Sequence, residues 1–190
     1  MRNFLTAMLC IVGIYNTVAC DVCGGAGAMS GIGFLPNSDF HFVGLTYRMR
    51  TFTTEHPKLF ENEPTEFGTN VFSTAELFGR ITPSERVQLL GFLPIHTKNI
   101  TDTEGVYETQ GVGDMSLLAN YLLVKKPMTR WYIGAGVKLP SGAYEHMSNG
   151  EFIPNLQLGT GSTDVLFTSN FTQLRNNVGV NAEVNYVLTT

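Results

Sequence analysis

Gly111–Gly142 reads GVGDMSLLANYLLVKKPMTRWYIGAGVKLPSG, and the fold turns on how this stretch is interpreted. Its second half alternates cleanly. Trp131, Ile133, Ala135, Val137 and Leu139 share one face, while Tyr132, Gly134, Gly136 and Lys138 share the other. Successive side chains of a strand point to opposite sides of its sheet, so the pattern predicts a strand whose faces meet different surroundings. A short basic turn at Lys125–Thr129 precedes it. The first half has two readings. Met115, Leu118, Ala119, Leu122 and Leu123 fit a helical stripe, with Asp114 as cap, Lys125 and Lys126 at the C-terminal end and Pro127 as a stop. As a strand, Met115, Leu117, Ala119, Tyr121 and Leu123 oppose Asp114, Ser116 and Asn120, which leaves Leu118 and Leu122 out of place.

The flanking segments decide. Phe40–Phe52 sets Val43, Leu45, Tyr47 and Met49 against Thr46, Arg48 and Arg50. Thr69–Ile81 sets Val71, Ala75, Leu77 and Ile81 against Asn70, Thr74, Glu76 and Arg80. Val87–His96 has Gln88 and His96 on its polar face, shared with Leu90 and Phe92. Gly161–Thr172 sets Val165, Phe167 and Phe171 against Asp164, Thr168 and Asn170. The last strand is the cleanest: Val178, Val180, Ala182, Val184, Tyr186 and Leu188 oppose Gly179, Asn181, Glu183 and Asn185. A helix inside such a run would interrupt it, so Met115–Val124 is expected to be a strand.

The connections alternate in length. Thr53–Gly68, Thr97–Gln110 and Ala143–Thr160 are long; Pro83-Ser84-Glu85, Lys125–Thr129 and Leu174–Asn177 are short. Long strands, alternating connections and one apolar face opposite a charged one are what a transmembrane β-barrel requires. The expected fold is all-β, an antiparallel up-and-down transmembrane barrel of about seven strands, incomplete in this chain. Bacterial single-chain barrels have even strand numbers, and an open edge in lipid is not tolerated. The sequence is therefore expected to be the N-terminal piece of a longer chain, with the barrel part at 39–190.

Composition agrees. Charged residues make up 15% of the 190 residues and hydrophobic ones 43%, against about 25% charged in ordinary soluble domains. The net charge of −4 leaves no basic footprint for nucleic acid. Residues 1–19 read as an export signal: Arg2, an apolar Phe4–Ile14 core, and Thr17-Val18-Ala19 before Cys20. Residues 20–38 are a Cys/Gly-rich lead-in. Cys20 and Cys23 form CDVC, open to a disulfide, to free thiols or to lipidation at Cys20. Two cysteines fall short of a metal site. The exported N-terminus puts the short turns on the periplasmic side. Trp131 and Phe171 then belong to an inner aromatic girdle, and Tyr186 approaches the outer one.

GVGD at Gly111–Asp114, LPSG at Leu139–Gly142 and LGTGSTD at Leu158–Asp164 together resemble the outer-membrane transporter barrels grouped with the meta-pathway of phenol degradation. ACDVCG after the signal is similar to a Bacteroidetes-type branch, in which a further cysteine is expected where Gly25 stands. The resemblance covers Gly111–Thr172 best. It implies an outer-membrane barrel, with lipid around it, acting as a passive channel or transporter for small, hydrophobic molecules.

Enzymatic signatures are missing: there is no H-E-x-x-H and no G-x-S-x-G. No cofactor or metal is expected. His41, His56, His96 and His146 are scattered, and the sequons at Asn99 and Asn170 are chance matches. The inward polar set is Arg48, Arg50, Glu76, Arg80, Gln88, His96, Asp114, Asn120, Lys138, Asp164, Asn181 and Glu183. It either fills a narrow interior with compensating ion pairs or lines a wet path whose charges select a solute. Asp114 and Asp164, beside glycines at strand starts, have a further structural option as acceptors of backbone N–H groups. A non-conducting membrane barrel and a soluble exported ligand-binding barrel are the alternatives.

Overall fold

The computed structural model describes residues 40–56, 66–101, 105–145, 147–148 and 151–189. The signal segment, the lead-in, Cys20 and Cys23, the side chain of His56, and His146 lie outside the described residues. The strands are β1 (Phe42–His56), β2 (Glu66–Ser84), β3 (Val87–Thr101), β4 (Val106–Val112), β5 (Met115–Lys126), β6 (Thr129–Leu139), β7 (Met147–Ser148), β8 (Glu151–Phe152), β9 (Asp164–Arg175) and β10 (Val178–Thr189). One antiparallel sheet runs β1-β2-β3-β5-β6-β9-β10, with β4 also paired to β3, and curls into a half-barrel. β7 and β8 form a separate small hairpin. Met115–Val124 is strand, as its surroundings required.

The expected connections shorten: β1 runs to His56 and β2 starts at Glu66, so both ends of Thr53–Gly68 are strand, and the turns after β5 and β9 shrink to two residues each. Thr97–Gln110 is not a loop: β3 continues to Thr101, and β4 returns along it, with Thr97 opposite Gln110 and Lys98 opposite Thr109. Both faces of this extension are largely polar, so it carries no hydrophobic period, yet the backbone ladder needs none. The turn after β2 is Glu85–Arg86; Pro83 and Ser84 belong to the strand, where Ser84 pairs with Val87. The strand that follows the long β6 connection begins at Asp164 and runs on to Arg175. Its two-residue turn places Asn176 in the left-handed region at φ 53°, a conformation that asparagine tolerates.

β4 and β5 are one strand interrupted by a bulge. Ile95 pairs with Val112 and Phe92 with Ser116, so Leu93 and Pro94 face three residues, Gly113, Asp114 and Met115. Pro94 has no N–H to donate, and its carbonyl accepts from Gly113 N–H at 2.9 Å. The extra residue reverses the parity. Tyr107 and Thr109 are buried before the bulge; Ser116, Leu118, Asn120 and Leu122 are buried after it. The inner face therefore stays the inner face along the whole strand.

That inner face holds more apolar mass than a purely polar lumen. Leu90, Phe92, Leu118 and Leu166 form a buried cluster with Phe78 against it. Phe78 stacks on Phe92 with ring centroids 6.4 Å apart and meets Phe42 edge-on at 5.6 Å. Leu90, Phe92, Leu118 and Leu122, the residues that break the sequence pattern, all lie here. Glycines make room on this face: Leu118 has Gly136 as its partner across β5 and β6. Phe78 covers Gly44, Leu118 covers Gly136, and the Asn120 carboxamide covers Gly134. A Cβ at Gly136 would press on the Leu117 carbonyl and the Leu118 backbone, neither of which can rotate away.

Gly136→Val is expected to cost about 2 kcal/mol or more, at the upper end of overpacking penalties. Equilibrium unfolding in detergent or lipid measures it, and an unchanged midpoint would contradict this packing.

Candidate functional site

The three motif segments, far apart in sequence, meet where β5 and β9 begin and β6 ends. Asp114 sits at the centre. Its Oδ1 accepts from Gly142 N–H at 3.1 Å, and its Oδ2 accepts from Thr160 N–H at 2.9 Å and from the Thr160 hydroxyl at 2.7 Å. The Ser141 hydroxyl donates to the Gly113 carbonyl and accepts from Met115 N–H, both at 2.8 Å. Gly142 and Gly159 touch backbone to backbone, so a side chain at either would push the segments apart. The glycines of the motifs are thus contact points, and the aspartate is the acceptor around which they close.

Lys138 supplies the matching charge. Its ammonium lies between Asp164 and Asp114, 3.6 Å from Asp114 Oδ2, and donates to Thr160 Oγ1 at 2.7 Å. Asp164 also accepts from Ser162 Oγ at 2.9 Å. Asp114, Asp164 and Lys138 are all well shielded from solvent. Such a cluster holds while every member is satisfied and becomes costly when one is removed.

This junction fixes the course of the long connection between β6 and β9. Leu158 N–H and Gly159 N–H both donate to Ala143 O at 2.9 Å. The Leu158 side chain packs on Gly111, which shares a face with the buried Tyr107 and Thr109. Lys98, also on the inner face, donates to the Gln157 carbonyl. Leu156, in the 3-10 turn Pro154–Leu156, is completely buried. The connection therefore folds inward over β3 and β4. Burial holds the Lys98 ammonium below the usual lysine range.

The other inward residues form smaller groups. Arg48 pairs with Glu76 at 3.5 Å. Arg50 stands one position further along the same face of β1. Arg80 donates to Phe40 O at 3.3 Å and lies 4.5 Å over the Phe42 ring. His96 Nδ1 is 2.9 Å from Thr74 Oγ1. Gln88 donates to the Tyr132 hydroxyl at 3.1 Å, and Asn120 accepts from Thr168 Oγ1 at 3.2 Å. Glu183 accepts from Asn170 at 3.3 Å and from Asn185 at 2.8 Å, and Asn181 donates to Thr172 Oγ1 at 2.8 Å. Among the described residues no group of three or more His, Cys, Asp or Glu side chains is placed to hold a metal.

On the outward face, Trp131 and Phe171 are register partners, and Tyr186 pairs with Phe167. Phe167 stands four residues from Phe171, about 14 Å along the strand. Thr160, Ser162, Ser141 and Lys98 were not singled out from the sequence. Thr160 and Ser162 do lie inside the glycine-rich motif, and that was their available signal. Lys98 had none, because its segment reads as loop.

Asp114→Ala removes the acceptor for two backbone N–H groups and one carboxylate from Lys138. A loss of about 3 kcal/mol is expected, the scale for breaking a shielded pair. Faster proteolysis of residues 140–163 should accompany it. An unaltered cleavage pattern would show that Asp114 does not hold the connection. No protein-family model matches the chain, and no curated protein matches it.

Proposed function

We propose that the chain belongs to an outer-membrane β-barrel that passes a small solute through its interior. The observation that carries this reading is the outward face of the half-barrel. Val43, Leu45, Tyr47, Leu77, Ile81, Leu89, Leu117, Tyr121, Ile133, Val137, Phe167, Val184 and Tyr186 all project from it exposed, with Val43 at 77%. A contiguous apolar surface of this extent is foreign to a monomer in water. Level with these residues, the charges of β1–β3, Arg48, Glu76 and Arg80, sit on the opposite face.

The apolar band also has an edge. Tyr47, Ala75, Ile95 and Val112 make one register row across β1–β4; the next row outward is Met49, Ser73, Thr97 and Gln110, followed by Thr51, Val71, Asn99 and Glu108. From Val87 to Ile95 the band spans about 27 Å along β3, or roughly 20 Å across a membrane at a strand tilt near 40°. That matches the ~25 Å apolar band of outer-membrane barrels in order of size. The resemblance of the three motif segments to transporter barrels supports the same reading, as does the N-terminal export signal.

A sealed barrel is the second reading, favoured by the packing of Leu90, Phe92, Leu118 and Leu166 on the inner face. The membrane part of the proposal is tested first. The protein should fractionate with outer membranes and need detergent for extraction. Leu117→Arg should destabilise it in lipid by about 2–4 kcal/mol, as for an arginine facing the bilayer midplane. A soluble protein indifferent to that substitution would defeat the membrane reading. Single-channel steps in planar bilayers, made with the full-length chain, would then separate a conducting barrel from a sealed one.

A further inference from the structure

The inward charges are mixed in sequence but sorted in space. On β1–β3 the register places Arg50, Phe72, Lys98 and Thr109 in one row and Arg48, Thr74, His96 and Gly111 in the row beneath it. Paired residues of an antiparallel sheet share a face, so Arg48, Arg50, His96 and Lys98 all look inward. Among the described residues, Glu76 on that face pairs with Arg48 at 3.5 Å, and Asp114 lies toward His96. Glu108 alternates with the buried Tyr107 and Thr109 and so faces outward. Asp114 and Asp164 are nearby but committed to Lys138, to backbone N–H groups and to hydroxyls. The connection between β6 and β9 presses in at the same level and presents a carbonyl, Gln157 O, to Lys98. A carbonyl satisfies one hydrogen of an ammonium and leaves its charge.

We propose that this is an anion site: the constriction between the inward connection and the β1–β3 wall selects negatively charged solutes, with Arg50 and Lys98 as its selectivity residues and Arg48 shared with Glu76. The proposal rests on the channel reading and names its solute class. A rim of like charges in a narrow, protein-walled space raises the local concentration of counter-ions, as basic rings do in anion pores. The two rows lie outside the apolar band, where bulk ions reach them. The aromatic pair Phe52–Phe72, at 5.2 Å edge-on, backs the site, and Lys98 lies 5.6 Å over the Phe72 ring. The site therefore suits a small anion with an apolar body, such as an organic carboxylate.

The test is the reversal potential of the full-length chain in a planar bilayer under a potassium chloride gradient. Chloride should be favoured over potassium. Arg50→Gln and Lys98→Gln should each lower that preference by roughly threefold, the effect of one unit charge acting through water at about 5–6 Å. The double variant Arg50→Glu with Lys98→Glu should reverse it. Added benzoate should block chloride current in the wild type and not in the double variant. Arg50 is exposed, so Arg50→Gln probes the site without threatening the fold. A conducting barrel that prefers cations, or whose preference ignores both residues, overturns the anion site and leaves the channel standing. A barrel that never conducts overturns both.

Discussion

Parity is the constraint on which everything else in this half-barrel depends. A strand has two faces and a period of two, so one unpaired slip would send Lys138 and Asp164 outward and Val137 and Val165 inward. The ladder absorbs three irregularities without that failure, one of them between Ile81 and Ser84 beside the β2–β3 turn. At Gly113–Met115 one extra residue, set against Pro94, reverses the numbering of the inner face and preserves the face itself. The third, between Leu122 and Val124 opposite Tyr132 and Trp131, lies close to the Pro127–Met128 turn. Bulges twist and bend the strand that carries them. The one at Gly113–Met115 also sets Asp114 at the point where the β6–β9 connection must be caught.

Much of the sheet was legible in the chain because solvent contrast writes it there. Val178–Tyr186 and Trp131–Leu139 alternate, and the register places their faces as assigned. The segment at Met115–Val124 was legible only through its neighbours, since its own residues fit a helix as well. Leu118 and Leu122 were the source of that ambiguity. They break the alternation because the inner face here is partly an apolar core, with Gly136 making room for Leu118. The β3–β4 extension was illegible for the opposite reason. Its backbone pairs fully, but Lys98, Asn99, Thr109 and Gln110 offer no contrast between faces.

The charge network shows a similar limit. Asp114 and Lys138 could be named from sequence as inward residues, and Asp164 likewise. That they meet around Thr160 could not, since this requires the course of a connection with no periodic pattern. Nor could the sorting of cations toward β1–β3, because register, rather than composition, decides which charges are neighbours. In the sequence the mixed signs of the inward set argue against a strong filter for either charge; the register gathers Arg48, Arg50 and Lys98 in two adjacent rows on β1–β3.

The strands are also unequal in length. β2 has 19 residues and β3 has 15, whereas β6 has 11. Under the channel reading, the rim of the mouth is therefore lopsided, with one high wall and one low sill. A solute arriving at that rim would meet the inner surface of the high wall first, and that surface carries Arg48, Arg50 and Lys98. Attraction extends about 8–10 Å through physiological salt, so under that reading the wall would act as a collecting ramp as well as a filter. Dilute solutes would then be gathered according to ionic strength, and the rate of capture becomes a property of the tall side of the mouth alone.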